Sequence, residues 1–177
     1  MWARSSTCAR TAPPCSRPPD RHNARVRISA KTDYAVRAAA ELAAADSGQP
    51  VKAERVAEAQ GIPLNFLENI LGQLRQAQIV QSRRGPEGGY LLARPAAEIS
   101  IADVIRAIDG PLAGVGGERP QNLEYDGPAE PLRDVWIAVR ASLRSILEHV
   151  TLADLAAGRL PGDVEALTKD PDAWLTR

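Results

Sequence analysis

The chain has 177 residues, of which 44% are apolar and only 4% aromatic, so it can bury one sizeable core built from aliphatic side chains. Its basic and acidic residues number five and one in 1–25, nine and seven in 26–95, and eight and fourteen in 96–177, which gives net charges of +4, +2 and −6. The acidic last part argues against general binding of nucleic acid over the whole surface, and no apolar run approaches the roughly 20 residues of a membrane span.

Residues 1–25 form a predicted disordered leader that is rich in Arg, Ser and Pro. They lack the apolar segment of a secretory signal and have the composition of an organellar transit peptide. We favour the alternative of a start site assigned too early, with Val26 as the first residue, because a coherent domain begins there. Both cysteines, Cys8 and Cys15, lie in this leader, which excludes a disulfide framework or a four-cysteine metal site in the rest of the chain.

The first predicted helix spans residues 29–45. Ser29 or Thr32 can cap it, because a hydroxyl side chain accepts a hydrogen bond from a free amide of the first turn. The helix is expected to end in the polar stretch 46–50, which contains Gly and Pro. Val51 is then expected to form a brief strand.

Two further helices are predicted at 53–60 and 63–77. The first is stopped by Gly61, which tolerates a positive φ, and the second begins at a proline, a favourable residue in a first turn. Apolar residues recur in the second at spacings of three and four, at Leu64, Leu67, Ile70, Leu71 and Leu74. Two helices joined by a tight turn are typical of a helix-turn-helix.

A glycine-rich β-hairpin is predicted directly after this pair. Its strands are 79–83 and 89–93, and Arg83 and Arg84 lead into a turn that carries Gly and Pro. A helix followed by a basic hairpin is the layout of a winged helix-turn-helix. The sequence therefore predicts a DNA-binding domain over residues 26–98.

The polar face of the second of these helices and the hairpin supply the candidate DNA contacts. Amide side chains both donate and accept, so they can contact base edges, whereas arginines at a wing can hold phosphate or enter the minor groove. Phe66 can touch a thymine methyl group or belong to the core instead. The candidates are Asn65, Phe66, Glu68, Asn69, Gln73, Arg83, Arg84 and Gly88.

The part from 99 to 158 is predicted to hold a linking helix, a loop and a dimerisation helix. Ser100 and Asp103 fit the capping-box start of the linking helix, and residues 111–130 have no periodicity. The long helix begins near Pro131, with apolar residues at spacings of four and three, at Leu132, Trp136, Val139, Leu143, Ile146 and Val150. This stripe is either a core face or a dimer interface, and we favour the dimer because the helix lies apart from the winged unit.

The chain ends with a short predicted helix and a tail. Thr151 and Asp154 can start the helix, which Gly158 ends. Residues 159–177 are polar and contain two prolines, so we expect a flexible tail.

Three segments resemble the Rrf-type bacterial transcriptional regulators, the group that contains IscR, NsrR and CymR. Residues 27–37 (RISAKTDYAVR) resemble the family's first helix, 62–75 its recognition helix, and 84–95 (RGPEGGYLLARP) its wing signature. The resemblance covers about 26–158 and implies a mainly α, homodimeric winged-helix transcription factor with a two-stranded β wing and a long C-terminal dimerisation helix. By this resemblance, the positions where the family contacts DNA are Asn65, Glu68, Asn69 and Arg84.

Two departures from the family pattern stand out. Gln78 occupies the position where a helix-ending glycine is usual. Many members also bind an iron–sulfur cluster through three cysteines in the loop before the long helix, whereas the loop 111–130 has none, and His149 lies outside it. Cluster iron needs thiolate ligands, so we expect no cofactor of this kind.

The leading hypothesis is a cytoplasmic repressor that binds a pseudo-palindromic DNA operator as a homodimer, with half-sites about one helical turn apart. An unknown small-molecule effector or a partner protein would release it. The alternative is a protein-interaction module with a vestigial winged helix. An enzyme is disfavoured, because neither His22 nor His149 belongs to a catalytic group and the glycines at 85–89 lie in a hairpin rather than between a strand and a helix.

Overall fold

The computed structural model describes residues 28–45 and 48–175, and this part of the chain is mainly helical with one small sheet. The predicted leader, its cysteines and the first residues of the stretch 46–50 lie outside the described residues. The helices are α1 (Ala30–Ala44), α2 (Ala53–Gln60), α3 (Leu64–Gln76), α4 (Ile101–Asp109), α5 (Leu132–Leu147), α6 (Leu152–Ala156) and α7 (Gly162–Thr168). The strands are β1 (Val80–Arg83) and β2 (Gly89–Leu92). None of these helices is long and apolar enough to cross a membrane.

Helix α1 lies at the centre of the fold and packs against α2, α3, α4, α6 and β2. Its inward face is mostly alanine, and small side chains allow neighbouring helices to approach closely. The buried positions on this face include Ala35, Ala38, Ala39 and Leu42. Ser29, one of the two predicted caps, accepts a hydrogen bond from the Thr32 amide at 3.0 Å, while Thr32 itself is fully buried.

Helices α2 and α3 form the predicted helix-turn-helix. Gly61 ends α2 in the left-handed region with a φ of 63°, and the Ile62 amide donates to the Ala57 carbonyl at 2.9 Å. Pro63 precedes α3 as its N-cap rather than forming its first turn. The predicted apolar stripe faces inward, with Leu67, Ile70, Leu71 and Leu74 fully buried, and Leu64 packs against the core from a partly buried position.

Gln78 adopts the conformation that a glycine would have after α3. Its φ is 57°, its amide donates to the Arg75 carbonyl at 3.1 Å, and the Ile79 amide donates to the Leu74 carbonyl at 2.9 Å. This is the hydrogen-bond pattern of a Schellman motif, which normally has glycine at this position. The joint between helix and wing is therefore kept, at the cost of backbone strain at Gln78.

The hairpin is antiparallel, with Val80 paired to Leu92 and Arg83 paired to Gly89. The brief strand expected at Val51 is a single β-bridge to Tyr90. The wing is thus joined to the segment that leads into α2.

Two capping boxes meet in the second half of the fold. Ser100 caps α4 and Thr151 caps α6, each in a reciprocal pair of hydrogen bonds with an aspartate three residues later. Ser100 and Thr151 also pair as an antiparallel bridge, so the starts of the two helices are fixed to each other.

The C-terminal residues differ from the expectation of a flexible tail over 159–177. They contain α7 and a 3-10 turn at Pro171–Trp174, in which the Trp174 indole donates to the Thr168 carbonyl at 2.7 Å. Val164 is buried, so α7 packs inward through this one side chain.

Candidate nucleic-acid interface

The outer face of α3 carries the predicted base-contacting residues. Asn65, Asn69 and Gln73 follow one another at intervals of four, so they lie along one line of the helix surface. Asn65, Glu68 and Asn69 are exposed, and the Gln73 amide donates to the Asn69 side-chain oxygen at 3.3 Å. The face therefore presents donors and acceptors of the kind that major-groove contacts require.

Phe66 lies at the edge of this face rather than in the core. Its side chain is 47% exposed, and its ring meets that of Tyr34 edge to face, with centroids 6.0 Å apart and planes at 86°. The Arg37 guanidinium lies 5.6 Å from the centre of the Tyr34 ring. The structure therefore connects α1 with α3 through an aromatic pair, of which only Phe66 is among the predicted site residues.

Arg37 also fixes the end of α2, a role that the sequence analysis missed. Its guanidinium donates to the backbone carbonyl and the side-chain oxygen of Gln60, and it pairs with Asp33 at 3.3 Å. A cation at the C-terminus of a helix satisfies a free carbonyl and opposes the negative end of the helix dipole. Gln60 in turn donates to Glu41 at 2.8 Å, so the end of α2 is hydrogen-bonded to two residues of α1. Its spacing of three from Tyr34 indicates only a contact within α1, and no local pattern indicates the contact with Gln60, 23 residues away.

Arg83 and Arg84 stand at the predicted wing with exposed side chains, and neither has a carboxylate partner among the described residues. The turn after them is tight, because the Gly88 amide donates to the Gly85 carbonyl at 2.9 Å. A β-carbon on Gly88 would come within 2.4 Å of the Arg83 carbonyl oxygen. The glycine is therefore required by the turn itself, whatever its distance from a bound duplex.

The predicted dimer face of α5 is open in the protomer. No residue of this helix is fully buried, and the five stripe residues on it, Leu132, Trp136, Val139, Leu143 and Ile146, are half-buried. Val150, the sixth predicted member, lies beyond the end of α5 and is buried within the protomer, where its carbonyl accepts from the Ile101 amide at 2.9 Å. Helix α5 ends at Leu147, so the period of 3.5 does not extend to Val150.

The ligand chemistry of the loop between α4 and α5 does not fit an iron–sulfur cluster. The loop 111–130 holds carboxylates but no cysteine, and no cysteine follows Cys15 in the chain. Across residues 28–45 and 48–175, no three His, Cys, Asp or Glu side chains converge as metal ligands would.

Comparison with known proteins identifies the family. The family model described as "Rrf2: Iron-dependent Transcriptional regulator" matches residues 28–158. The chain belongs to the Rrf2 family of transcriptional regulators. Members of this family are regulators of transcription and not enzymes, so the enzyme hypothesis is excluded.

Relatives in the Rrf2 family match most of the chain. Rv1287 of Mycobacterium tuberculosis, which carries the name of an HTH-type transcriptional regulator, is 57% identical over 145 residues, covering 82% of this chain and 90% of its own. The HTH-type transcriptional regulator CymR of Bacillus subtilis is 33% identical over 132 residues, covering 75% of this chain and 91% of its own.

Solved structures in the Rrf2 family confirm the predicted fold. The structure of CymR, the global cysteine regulator of B. subtilis, superposes with a TM-score of 0.64 at 33% identity and covers 75% of this chain and 97% of its own. The IscR structure from T. potens gives 0.59 at 30% identity and covers 85% and 93%. The mainly α winged helix-turn-helix with a two-stranded wing is therefore the fold of this chain.

Proposed function

We propose that this Rrf2-family protein is a sequence-specific, homodimeric repressor that binds a pseudo-palindromic DNA operator without an iron–sulfur cluster. The observation that carries the proposal is the combination of an exposed amide face on α3 with the exposed Arg83 and Arg84 at the wing, which have no carboxylate partner in residues 28–45 and 48–175. The two elements supply different kinds of contact, because amides distinguish bases and arginines bind the backbone.

The contacts divide by chemistry. Asn65, Asn69 and Gln73 contact base edges, Glu68 accepts from a cytosine amino group, and Phe66 packs on a thymine methyl group or a sugar. Arg83 and Arg84 bind phosphate or enter the minor groove, while Gly88 maintains the turn that presents them. The wing keeps its place beside α2 through the bridge between Val51 and Tyr90.

The open face of α5 supports a homodimer. A long helix with an apolar stripe at a period of 3.5 packs well against a copy of itself, and that face is only half-buried in the protomer. A two-fold dimer places two recognition helices in successive major grooves, which requires half-sites about one helical turn apart. Repression follows from occlusion of a promoter by the bound dimer, in the cytoplasm.

The test is binding of the full chain to a duplex from its own upstream region, against a scrambled duplex, over a salt series and without added metal. Fluorescence anisotropy should show selective binding, with a steep linear loss of log affinity as log salt concentration rises, since each neutralised phosphate contributes about −0.9 to the slope. Size-exclusion light scattering of the same samples reports the dimer.

A protein-interaction module is the second candidate, favoured by the half-exposed stripe on α5 and by the net charge of only +2 over residues 26–95. Docking through apolar surface depends weakly on salt, unlike contact with phosphates. Equal, weak binding of both duplexes at every salt concentration would favour this candidate over the repressor.

A further inference from the structure

Four arginines line one cavity between α4, the loop after it and α5. Arg106 lies on α4, Arg119 in the loop, and Arg140 and Arg144 on α5, and the walls between them include Leu112 and Gln121. We call this the arginine cavity. Its volume of about 560 Å³ lies within the range of sites for small molecules.

The concentration of positive charge is unusual for this part of the chain. Residues 96–177 have fourteen acidic and only eight basic side chains, yet half of the basic ones meet at the arginine cavity. Like charges gathered at one site repel one another, and a bound opposite charge lowers that repulsion.

The carboxylates nearby neutralise only part of this charge. Glu148 pairs with Arg144 at 2.9 Å and also with Arg106, and Arg106 pairs with Asp103 at 3.4 Å. The hydrogen bonds from Arg144 and then Arg106 hold the pKa of Glu148 below its usual range, so this carboxylate is ionised at neutral pH. Glu148 thereby keeps two guanidinium groups in place at the cavity wall.

The other two arginines have no carboxylate partner within the described part of the chain. Arg140 donates to the neutral side-chain amide of Gln121, and Arg119 forms no ion pair there. A guanidinium group presents a planar fork of donors that matches a carboxylate or a phosphate. The cavity thus contains two guanidinium groups that Glu148 holds in place and two that no carboxylate of the described residues neutralises.

We propose that the arginine cavity binds a small, multiply charged anion carrying phosphate or carboxylate groups. A small molecule fits better than duplex DNA, because the cavity is lined by no residue of α2, α3 or the wing. Arg119 and Arg140, which have no carboxylate partner in the described part of the chain, contact the anion directly, while Arg106 and Arg144 line the cavity wall in positions held by Glu148.

The cavity wall is continuous with a polar contact to the winged unit. Gly110 lines the cavity, and the residue before it, Asp109, accepts hydrogen bonds from Thr32 at 2.6 Å and from Ser29 at 3.2 Å at the start of α1. An anion that draws the end of α4 toward α5 would strain these hydrogen bonds. If the proposed function holds, on which this step rests, the anion is the effector that changes operator affinity.

The test begins with the anion alone, so that it does not depend on DNA binding. Isothermal titration of the full chain with pyrophosphate and, separately, with citrate should show saturable binding that chloride at matched ionic strength does not reproduce. Saturation by either probe supports the inference and identifies phosphate or carboxylate as the preferred group. The absence of saturable binding by both probes would overturn it.

Variants locate the binding. Arg119→Gln and Arg140→Gln should each weaken the affinity by about tenfold or more, since each removes a charge-assisted hydrogen bond. Arg133→Gln is the matched control on α5, because it removes the same charge outside the cavity. Equal losses in all three variants would overturn the inference, as would a fall from dimer to monomer by light scattering in Arg119→Gln or Arg140→Gln, which would assign the cavity to a second copy.

The operator experiment, repeated with and without the better probe, separates the two proposals. Anion binding without any operator binding would leave the cavity assignment standing and reject the repressor. Operator binding by a protein that binds neither anion would support the repressor and reject the cavity assignment. A change of operator affinity with the probe, absent in Arg119→Gln, supports both.

Discussion

Val51 and Tyr90 exchange two backbone hydrogen bonds of 2.8 Å, amide to carbonyl in each direction. This single bridge joins the segment before α2 to the second strand of the wing. Gly89 lies against the same bridge, since a β-carbon there would come within 2.5 Å of the Val51 carbonyl oxygen and 2.7 Å of its carbonyl carbon. The position of the wing relative to the helix-turn-helix therefore depends on a glycine beside the bridge.

Gly89→Ala should separate the bridge and displace the wing, because both close atoms belong to the backbone and cannot rotate away. Overpacking of this kind costs about 1–3 kcal/mol, which urea denaturation followed by circular dichroism measures. Gly162→Ala is the control, since no atom lies within 4 Å of its added β-carbon. A stable Gly89→Ala variant with unchanged DNA affinity would show that the wing does not need this contact.

Gln78→Gly should stabilise the protein, because glycine is the residue that the left-handed position after a helix favours. Gln78 has a φ of 57°, and the left-handed region costs a residue other than glycine about 1 kcal/mol or more. Gln76→Gly, at the last residue of α3, should instead destabilise by up to about 1 kcal/mol, because glycine has a low helix propensity. Thermal unfolding of the two variants should therefore shift in opposite directions, and equal destabilisation would contradict the strain assigned to Gln78.

The capping box of α6 predicts a loss of stability in acid. The hydrogen bonds from the Thr151 side chain and then its backbone amide lower the pKa of Asp154. Because the folded pKa is below the unfolded one, the stabilisation is complete above the unfolded value of about 3.9 and disappears as the pH falls through the folded value. Asp154→Asn should flatten the pH dependence of stability below about pH 4 relative to the Asp126→Asn control, and parallel pH profiles would argue against the box.

Local signals explain which elements the sequence predicted. The caps at Ser29, Ser100 and Thr151, and the stop at Gly61, need only neighbours in the chain, and all four are present in the structure. The helix ends that these residues set are predicted within one or two positions of the ends in the structure.

Contacts between distant residues explain what was missed. Tyr34 and Phe66 meet only in the folded chain, as do Arg37 and the end of α2. The same is true of the four arginines that line the cavity, which come from α4, the loop after it and α5. Val150 was misplaced for a related reason, since periodicity does not reveal where a helix ends when the next residues join another element.

The proposed dimer face predicts an asymmetric response to charge. Val139→Glu places a carboxylate in the stripe, whereas Ala141→Glu places it on the exposed opposite side of α5. An unpaired charge at an apolar interface costs several kcal/mol, so the dimer dissociation constant should rise by about a hundredfold or more for Val139→Glu alone. Analytical ultracentrifugation distinguishes the variants, and two dimers of equal stability would assign the stripe to another use.

The proposed interface assigns base contacts to α3 and phosphate contacts to the wing, and substitutions in the two elements should therefore have different effects. Asn69→Ala should cost about 1–3 kcal/mol and relax specificity at one base pair of each half-site, because an amide that contacts a base distinguishes it from the others. Arg84→Ala should weaken binding to all duplexes equally and reduce the salt slope by about one per protomer, because a phosphate contact carries no sequence information. Anisotropy titrations against the operator and single-base variants, over several salt concentrations, separate these effects.

Asn122→Ala and Arg159→Ala provide matched losses of an exposed amide and an exposed cation outside α3 and the wing. Neither should change specificity or salt slope. The assignment fails if Asn69→Ala lowers affinity for every duplex alike, since the amide would then act on the backbone. The assignment of the wing also fails if Arg84→Ala and Arg159→Ala have the same salt slope. An arginine that neutralises a phosphate releases counterions, so its loss must reduce the slope.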